Sequence, residues 1–280
     1  MTSLALYDSV CLKASTATTF SYSTSFGLGV RSLHKRFRAP IHSIYGFVRF
    51  ADEIVDTFHG HDKRALLERF TTETWRAIEE GISLNPILHS FQATVRKYNI
   101  DHSSIEAFLH SMAMDLDQGS HDQPSFEEYI LGSAEVVGLM CLRVFCEGDD
   151  AEFQRLKPSA MRLGAAFQKV NFLRDLQHDH QNLGRTYFPG LDVSKLDTTA
   201  KRAIERSIDE DFEEAFKGIK ELPRGARFGV YVAYRYYKAL HERIRSLPSE
   251  RILAERISVP NAIKASLLMR SYLRHSIGVL

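Results

Sequence analysis

Cysteine is scarce: the 280 residues contain only Cys11, Cys141 and Cys146. An odd number without metal-ligand spacing argues against a disulfide scaffold or a zinc site and is read as reduced thiols in a cytoplasmic protein. An excess of one charge is also missing. The 36 basic and 35 acidic side chains are interspersed and leave a net charge of +1, so no nucleic-acid partner is expected. No unbroken run of eighteen apolar residues occurs, so no membrane-spanning helix is expected. Asp8 interrupts the N-terminal apolar stretch and no basic segment precedes it, so no secretory signal is read there. Alternating strand patterns and internal repeats are absent as well. What is present is helical periodicity almost throughout, with 44% hydrophobic and 11% aromatic residues. That combination predicts one all-α domain over residues 1–280 with a large core.

Two stretches concentrate the polar chemistry. In Tyr45 to Phe58, the residues Phe47, Phe50, Ala51, Ile54, Val55 and Phe58 recur at helical intervals. Asp52 and Asp56 then share one face a turn apart, with Arg49 a turn earlier. Like charges stacked in this way suit a hard cation with oxygen ligands, although an exposed acidic face on a core helix has the same pattern. The second stretch, Gly164 to Pro189, aligns Gln168, Asn171, Asp175 and Asp179 in one stripe, while Phe167, Val170, Leu173 and Leu176 form an opposite face that can pack. Two D-x-x-x-D faces opposed across a cavity would make a cage of four carboxylates, with Arg49, Arg174 and Arg185 nearby. A cage of this kind suits a diphosphate, because Mg²⁺ is typically held by one or two carboxylates together with substrate phosphate oxygens.

Six segments together resemble the head-to-head prenyl synthases, the squalene and phytoene synthase family. They are Ser23-Thr24-Ser25-Phe26, Asp52-Glu53-Ile54-Val55-Asp56, Met114-Asp115-Leu116, Asn171-Phe172-Leu173-Arg174-Asp175 through Asp179, Gly184-Arg185-Thr186-Tyr187-Phe188-Pro189, and Arg256-Ile257-Ser258-Val259. The resemblance spans nearly the whole chain and implies a helical bundle of the isoprenoid synthase type around a central cavity. By the same resemblance, Asp52, Asp56, Asn171, Asp175 and Asp179 hold Mg²⁺, with Mn²⁺ as an alternative. Ser23, Ser25, Phe26, Tyr45, Arg49, Gln168, Asn171, Arg174, Arg185, Tyr187, Tyr237 and Arg256 contact the substrates, and Tyr129 stands beside the reacting carbons. Asp115 matches a family position but is given no direct role.

The reaction implied is the condensation of two prenyl diphosphates through a cyclopropylcarbinyl diphosphate. Squalene formation needs hydride from NADPH. Phytoene formation, the committed step toward carotenoids, does not, and NADPH is not expected here. By alignment with relatives that make thirty-carbon products, Val30 and His42 replace bulky aromatics of the tail pocket, which favours geranylgeranyl over farnesyl diphosphate. A class I terpene cyclase and a non-catalytic family member are the competing readings. Glu135, where many relatives carry Gly, and His178 depart from the family pattern.

Along the rest of the chain, helices are expected at Leu4 to Thr16, Asp62 to Glu80, Pro86 to Tyr98, Ser103 to Asp117, Pro124 to Cys146, Ala200 to Ile219, Pro223 to Ser246, and Pro260 to about Ser276. Ser15 to Ser25 reads as a capping and turn region, Pro40 as a helix start, and Leu191 to Thr199 as a polar loop. Tyr129, Ser133, Ala134, Val137 and Gly138 form a small-residue face that allows close packing or leaves room for a ligand tail, the latter implied by the resemblance. The basic cluster Arg31 to Arg38 suits a solvated face or peripheral contact with an anionic membrane surface. No oligomeric state is read from the sequence.

Overall fold

A computed structural model describes residues 3–117, 119–191 and 196–276. Helices α1 (Ser3–Tyr22), α2 (Thr24–Arg31), α3 (Lys35–Thr57), α4 (Lys63–Glu80), α5 (Pro86–Tyr98) and α6 (His102–Asp117) make the first half. α7 (Gln123–Ile130) passes through a π-turn at Leu131–Glu135 into α8 (Val136–Cys146). α9 (Asp150–His178) ends in a second π-turn at Asp179–Leu183 and is followed by α10 (Thr198–Glu221), α11 (Arg224–Arg245), α12 (Ser249–Ile252) and α13 (Asn261–Ser276). Among the described residues, the isolated bridge Ser120–Thr186 is the sole β pairing.

Local chemistry explains most of the helix ends. Asp62 caps α4 by accepting from the Ala65 amide, and Gly81, at φ 72°, closes that helix in the left-handed conformation that glycine tolerates. Asn85 caps α5 with Pro86 at its first position. Two expectations need correction. The Ser/Thr-rich stretch is helical to Tyr22, because the hydroxyls of Thr16, Thr18 and Thr19 bond the carbonyls four residues back and leave the helical ladder intact. The break comes at Ser23, whose hydroxyl oxygen accepts from the Phe26 amide and caps α2. Pro40 lies inside α3, which begins five residues earlier at Lys35. The lost hydrogen bond falls near the start of the helix, at solvent-exposed Arg36, where it costs least. Residues 192–195 of the expected polar loop lie outside the described residues.

Two apolar cores flank a central cavity. The first gathers α3, α4, α5, α6 and α8 around Phe47, whose ring stacks on Phe91 at 3.9 Å. Burying such a side chain contributes about 1.5–3 kcal/mol. The second gathers α7, α9, α10 and α11 around Phe172, Ile208, Phe212 and Leu240. The Gln123–Cys146 run is long and apolar enough to cross a membrane by length and composition, but 67% of its apolar window is buried inside the protein. α8 and α9 run antiparallel in a register visible from their contacts. Gln168 donates to the Ser133 hydroxyl, a Cβ on Gly164 would lie 2.5 Å from the Ala134 carbonyl oxygen, and one on Gly138 would lie 2.9 Å from that of Ala160. The small residues therefore serve close helix packing as well as opening space.

The basic cluster is largely engaged within the protein. Arg36 pairs with Glu147 at 3.0 Å, Arg38 donates to the Leu33 carbonyl, and Arg31 lies over the Phe20 ring at 4.5 Å.

Candidate active site

The C-terminal half of α3 and the end of α9 bring the two acidic motifs face to face. Burial and the neighbouring charge of Asp56 raise the pKa of Asp52, with Asp115 adding to the effect and Arg49 opposing it. Asp179 is pushed up to about 7, first by burial, then by the charges of Asp175, Asp56 and Asp115. Carboxylates separated by more than a hundred residues of sequence thus sense one another across one site. The helical spacing that aligns each pair and the packing of α3 against α6, α5 and α8 set this geometry.

Guanidinium groups neutralise most of this charge. Arg49 donates to Asp52 at 2.5 Å and also pairs with Glu53, with its guanidinium 4.3 Å above the Tyr22 ring. Arg185, only 6% exposed, donates to Asp56 at 2.6 Å and to the Val55 carbonyl at 3.1 Å, and lies 3.5 Å from Asp115. Asp175 accepts from Arg174 at 3.0 Å and from the exposed Arg256 at 2.7 Å. His178 lies 3.7 Å from Asp179 with its side chain half-exposed.

Asp115 is the residue that sequence reasoning undervalued. It is 8% exposed at the end of α6. The Tyr129 hydroxyl donates to its Oδ2 at 2.7 Å and the Tyr187 hydroxyl to its Oδ1 at 3.0 Å. Burial raises its pKa to about 6, and Arg185 and the two phenols pull against that rise. Tyr129 therefore sits in an aromatic nest with His121, Phe172 and Tyr187 beside the carboxylates. It stands outside the apolar part of the cavity, with its hydroxyl on Asp115. Tyr187, stacked on Phe172 at 4.1 Å, likewise spends its hydroxyl on Asp115. The sequence signal was an acid enclosed by Met112, Met114 and Leu116.

Below the carboxylates, a cavity of about 290 Å³ runs between α3, α8, α9, α10 and α11. Phe26 stacks on Tyr45 at 4.7 Å at one side, and Phe167 stacks on Tyr237 at 3.9 Å at the other. Phe167, assigned by sequence to a packing face, lines the cavity, as do Tyr45, Gln168 and Tyr237. Tyr45 stays a neutral phenol, its pKa raised to about 12 by burial, and Ser23 hydrogen-bonds it. Ser25 lies half-buried in the first turn of α2. Val30 lines the cavity, but His42 bonds the Thr19 hydroxyl at 2.9 Å instead and contributes nothing to the cavity wall. Glu135 faces the Arg162, Lys169 and Asp211 cluster on α9 and α10, and burial raises its pKa.

The donor set fits a magnesium ion. It is made of oxygen atoms, and the Asn171 Oδ1 is buried without a hydrogen-bond partner while its Nδ2 donates to Gln168. Among the described residues no three acidic, His or Cys side chains converge on one point.

Comparison with known proteins follows the same lines. The sequence profile described as Squalene/phytoene synthase matches residues 20–262. A presqualene diphosphate synthase of Rhodopseudomonas palustris is 28% identical over 63% of this chain and 62% of its own length. A 15-cis-phytoene synthase of Paracoccus sp. is 26% identical over 88% of this chain and 86% of its own. The chain spans about three fifths of the length of the Rhodopseudomonas relative and of the chloroplastic phytoene synthase of Narcissus pseudonarcissus. Among solved structures, a dehydrosqualene synthase in complex with ligand superposes with a TM-score of 0.82 at 20% identity, covering 96% of this chain and 98% of that one. The squalene synthase HpnC from Alicyclobacillus acidocaldarius superposes with a TM-score of 0.71 at 21% identity, covering 84% and 93%. These structures share the fold. With a profile match over most of its length, the chain belongs to the squalene/phytoene synthase family.

Proposed function

We propose that the protein is a phytoene synthase, joining two geranylgeranyl diphosphates head to head through a cyclopropylcarbinyl diphosphate. Membership of a family that condenses prenyl diphosphates supports the reaction class. The observation that carries the choice of tail is the depth of the cavity. Gln168 and Ser133 pair at its upper end, and twelve residues further down the register Leu156 lines its lower end. Twelve residues of helix span about 18 Å. An extended covalent chain advances roughly 1.2 Å per bond, so four isoprene units need about 19 Å and three about 14 Å. The depth suits the longer tail.

The residues divide the work. A diphosphate placed between the two acidic pairs meets Arg49, Arg174, Arg185 and Arg256, now the counter-ions of the same carboxylates. A contact at about 4 Å to the more buried Arg49, Arg174 or Arg185 has a Coulomb energy of about 4 kcal/mol at an effective dielectric of 20 and strengthens as the leaving group gains charge, whereas the exposed Arg256 contributes about 0–1 kcal/mol. Magnesium held by Asp52, Asp56, Asn171, Asp175 and Asp179 would supply Lewis-acid charge to the departing diphosphate, with manganese as a substitute. The Phe26–Tyr45 and Phe167–Tyr237 pairs present aromatic faces to the allylic cation, contributing about 0.5–2 kcal/mol each. The apolar walls below exclude the water that would quench it.

The test is incubation of the purified protein with Mg²⁺ and either geranylgeranyl or farnesyl diphosphate, with and without NADPH. A forty-carbon hydrocarbon with a central conjugated triene, formed without NADPH, supports the proposal. Exclusive use of farnesyl diphosphate would reassign the protein to a thirty-carbon product, dehydrosqualene without NADPH or squalene with it.

A further inference from the structure

At the end of α3, two cations share one carbonyl. The helix stops at Thr57, and the His59 amide, which a longer helix would give to the Val55 carbonyl, bonds the Thr57 carbonyl at 2.8 Å instead. The Val55 oxygen is left at the negative end of the helix, where cations are favoured. Lys63, half-buried in the first turn of α4, donates its Nζ to that oxygen at 2.8 Å, and Arg185 Nη2 donates to it at 3.1 Å. The His59 Nδ1 lies 3.1 Å from the same ammonium. Burial and the charge of Arg185 lower the pKa of Lys63 while Asp56 raises it, so the ammonium stands in the field of both. The second Arg185 nitrogen, Nη1, reaches Asp56 at 2.6 Å and lies 3.5 Å from Asp115. Next to Lys63, Arg64 pairs with Asp117 at the end of α6. One turn of α4 thus touches the ends of both helices that carry Asp56 and Asp115.

We propose that Lys63 is a positioning residue for the diphosphate site: by sharing the Val55 carbonyl, it confines Arg185 to the pose in which the free arm of its fork points at Asp56 and Asp115. Two like charges on one acceptor repel, and the arginine relieves that repulsion by committing Nη1 to the acids. The guanidinium is then fixed before a diphosphate arrives, and no reorganisation is left for the reaction. Lys63 acts through Arg185 and not on the substrate. The inference rests on the reading of the opposed carboxylates as a diphosphate site, and not on the choice of tail.

Lys63→Met, Lys63→Gln and Lys63→Arg would be compared with the wild type, with Arg64→Met as a control at the exposed pair. The rise in Tm gives the apparent affinity for inorganic diphosphate in excess Mg²⁺, and diphosphate release gives kcat/KM. Lys63→Met and Lys63→Gln should each weaken diphosphate binding and lower kcat/KM by roughly tenfold, the scale of one lost hydrogen bond from a charged group. Lys63→Arg should restore both to within about threefold, and Arg64→Met should change neither by more than about twofold. Combining Lys63→Met with Arg185→Lys should cost no more than about threefold beyond Arg185→Lys alone, because both changes remove the same constraint. Wild-type affinity and kcat/KM in Lys63→Met or Lys63→Gln would overturn the inference, as would losses that multiply with Arg185→Lys or that Lys63→Arg fails to restore. If Lys63→Met does not melt cooperatively, Lys63→Gln decides, since its amide can reach the carbonyl but carries no charge. A wild type that uses only farnesyl diphosphate would defeat the phytoene assignment, and binding of the tail-free diphosphate would still decide the role of Lys63. A wild type whose Tm is unmoved by Mg²⁺ and diphosphate overturns both.

Discussion

Replacing Asp115 by Asn separates a role in holding the site from a role in holding the fold. The carboxyl has its pKa raised to about 6 from a reference of 3.8, chiefly by burial. Because the folded value lies above the unfolded one, Asp115 favours the folded state fully below about pH 3.8, and that contribution is lost as pH rises through 6. At neutral pH the ionised group therefore costs the fold about 3 kcal/mol, an order-of-magnitude figure for a shift of about two units. Asn keeps the shape, still accepts from a phenol and removes that cost. The expected outcome is a stability at pH 8 equal to the wild type or up to about 3 kcal/mol higher. For a chain of this length that corresponds to a rise in Tm of roughly 0–5 °C. Activity should move the other way. The amide no longer holds the Arg185 guanidinium 3.5 Å away or accepts from both Tyr129 and Tyr187 as strongly. Loss of one charge-assisted contact of about 1.5–3 kcal/mol predicts a kcat/KM lower by roughly 10- to 200-fold. Differential scanning fluorimetry and a steady-state diphosphate-release assay measure the two quantities. A variant that melts several degrees lower while keeping wild-type kcat/KM would refute the reasoning, since Asp115 would then be a structural acid.

Other outcomes follow from the same geometry. The pKa values of Asp52 and Asp179 are raised, Asp179 to about 7, so protons compete with magnesium at these groups. The Tm gain from Mg²⁺ plus inorganic diphosphate should grow between pH 6 and pH 8, and a gain independent of pH would contradict this. Arg185→Lys keeps the charge but not the fork that spans Asp56 and the Val55 carbonyl, so kcat/KM should fall roughly 100-fold with little change in melting, as read in the same assays. Gly164→Ala places a Cβ 2.5 Å from the Ala134 carbonyl oxygen and should destabilise by about 1–3 kcal/mol in urea unfolding by forcing α9 away from the π-turn. An unchanged midpoint would mean that the two helices separate freely.

The fold class and the pairing of the acidic motifs were legible because both depend on short-range spacing. Asp52 and Asp56, or Asp175 and Asp179, share a helix face by arithmetic alone, and Gly81 and Pro86 mark helix ends through their own backbone preferences. What was not legible depended on partners distant in sequence. Asp115 becomes important only when Tyr129, Tyr187 and Arg185 arrive from two other segments. Phe167 packs on the second core as its helix face implies, but its stack on Tyr237 of α11 at the cavity wall depends on a distant partner, and His42 bonds the Thr19 hydroxyl of α1 rather than lining the cavity. The helical Ser/Thr stretch escaped prediction because each hydroxyl found a carbonyl four residues back, an outcome that composition does not distinguish from a turn.

The most direct measurement is the product formed from geranylgeranyl diphosphate and Mg²⁺ by the wild type, by Asp52→Asn and by Asp175→Asn, analysed by chromatography and mass. The account predicts a forty-carbon hydrocarbon from the wild type and a yield at least about 100-fold lower from each variant, each lacking one carboxylate of the opposed pairs. Undiminished product from either variant would contradict it.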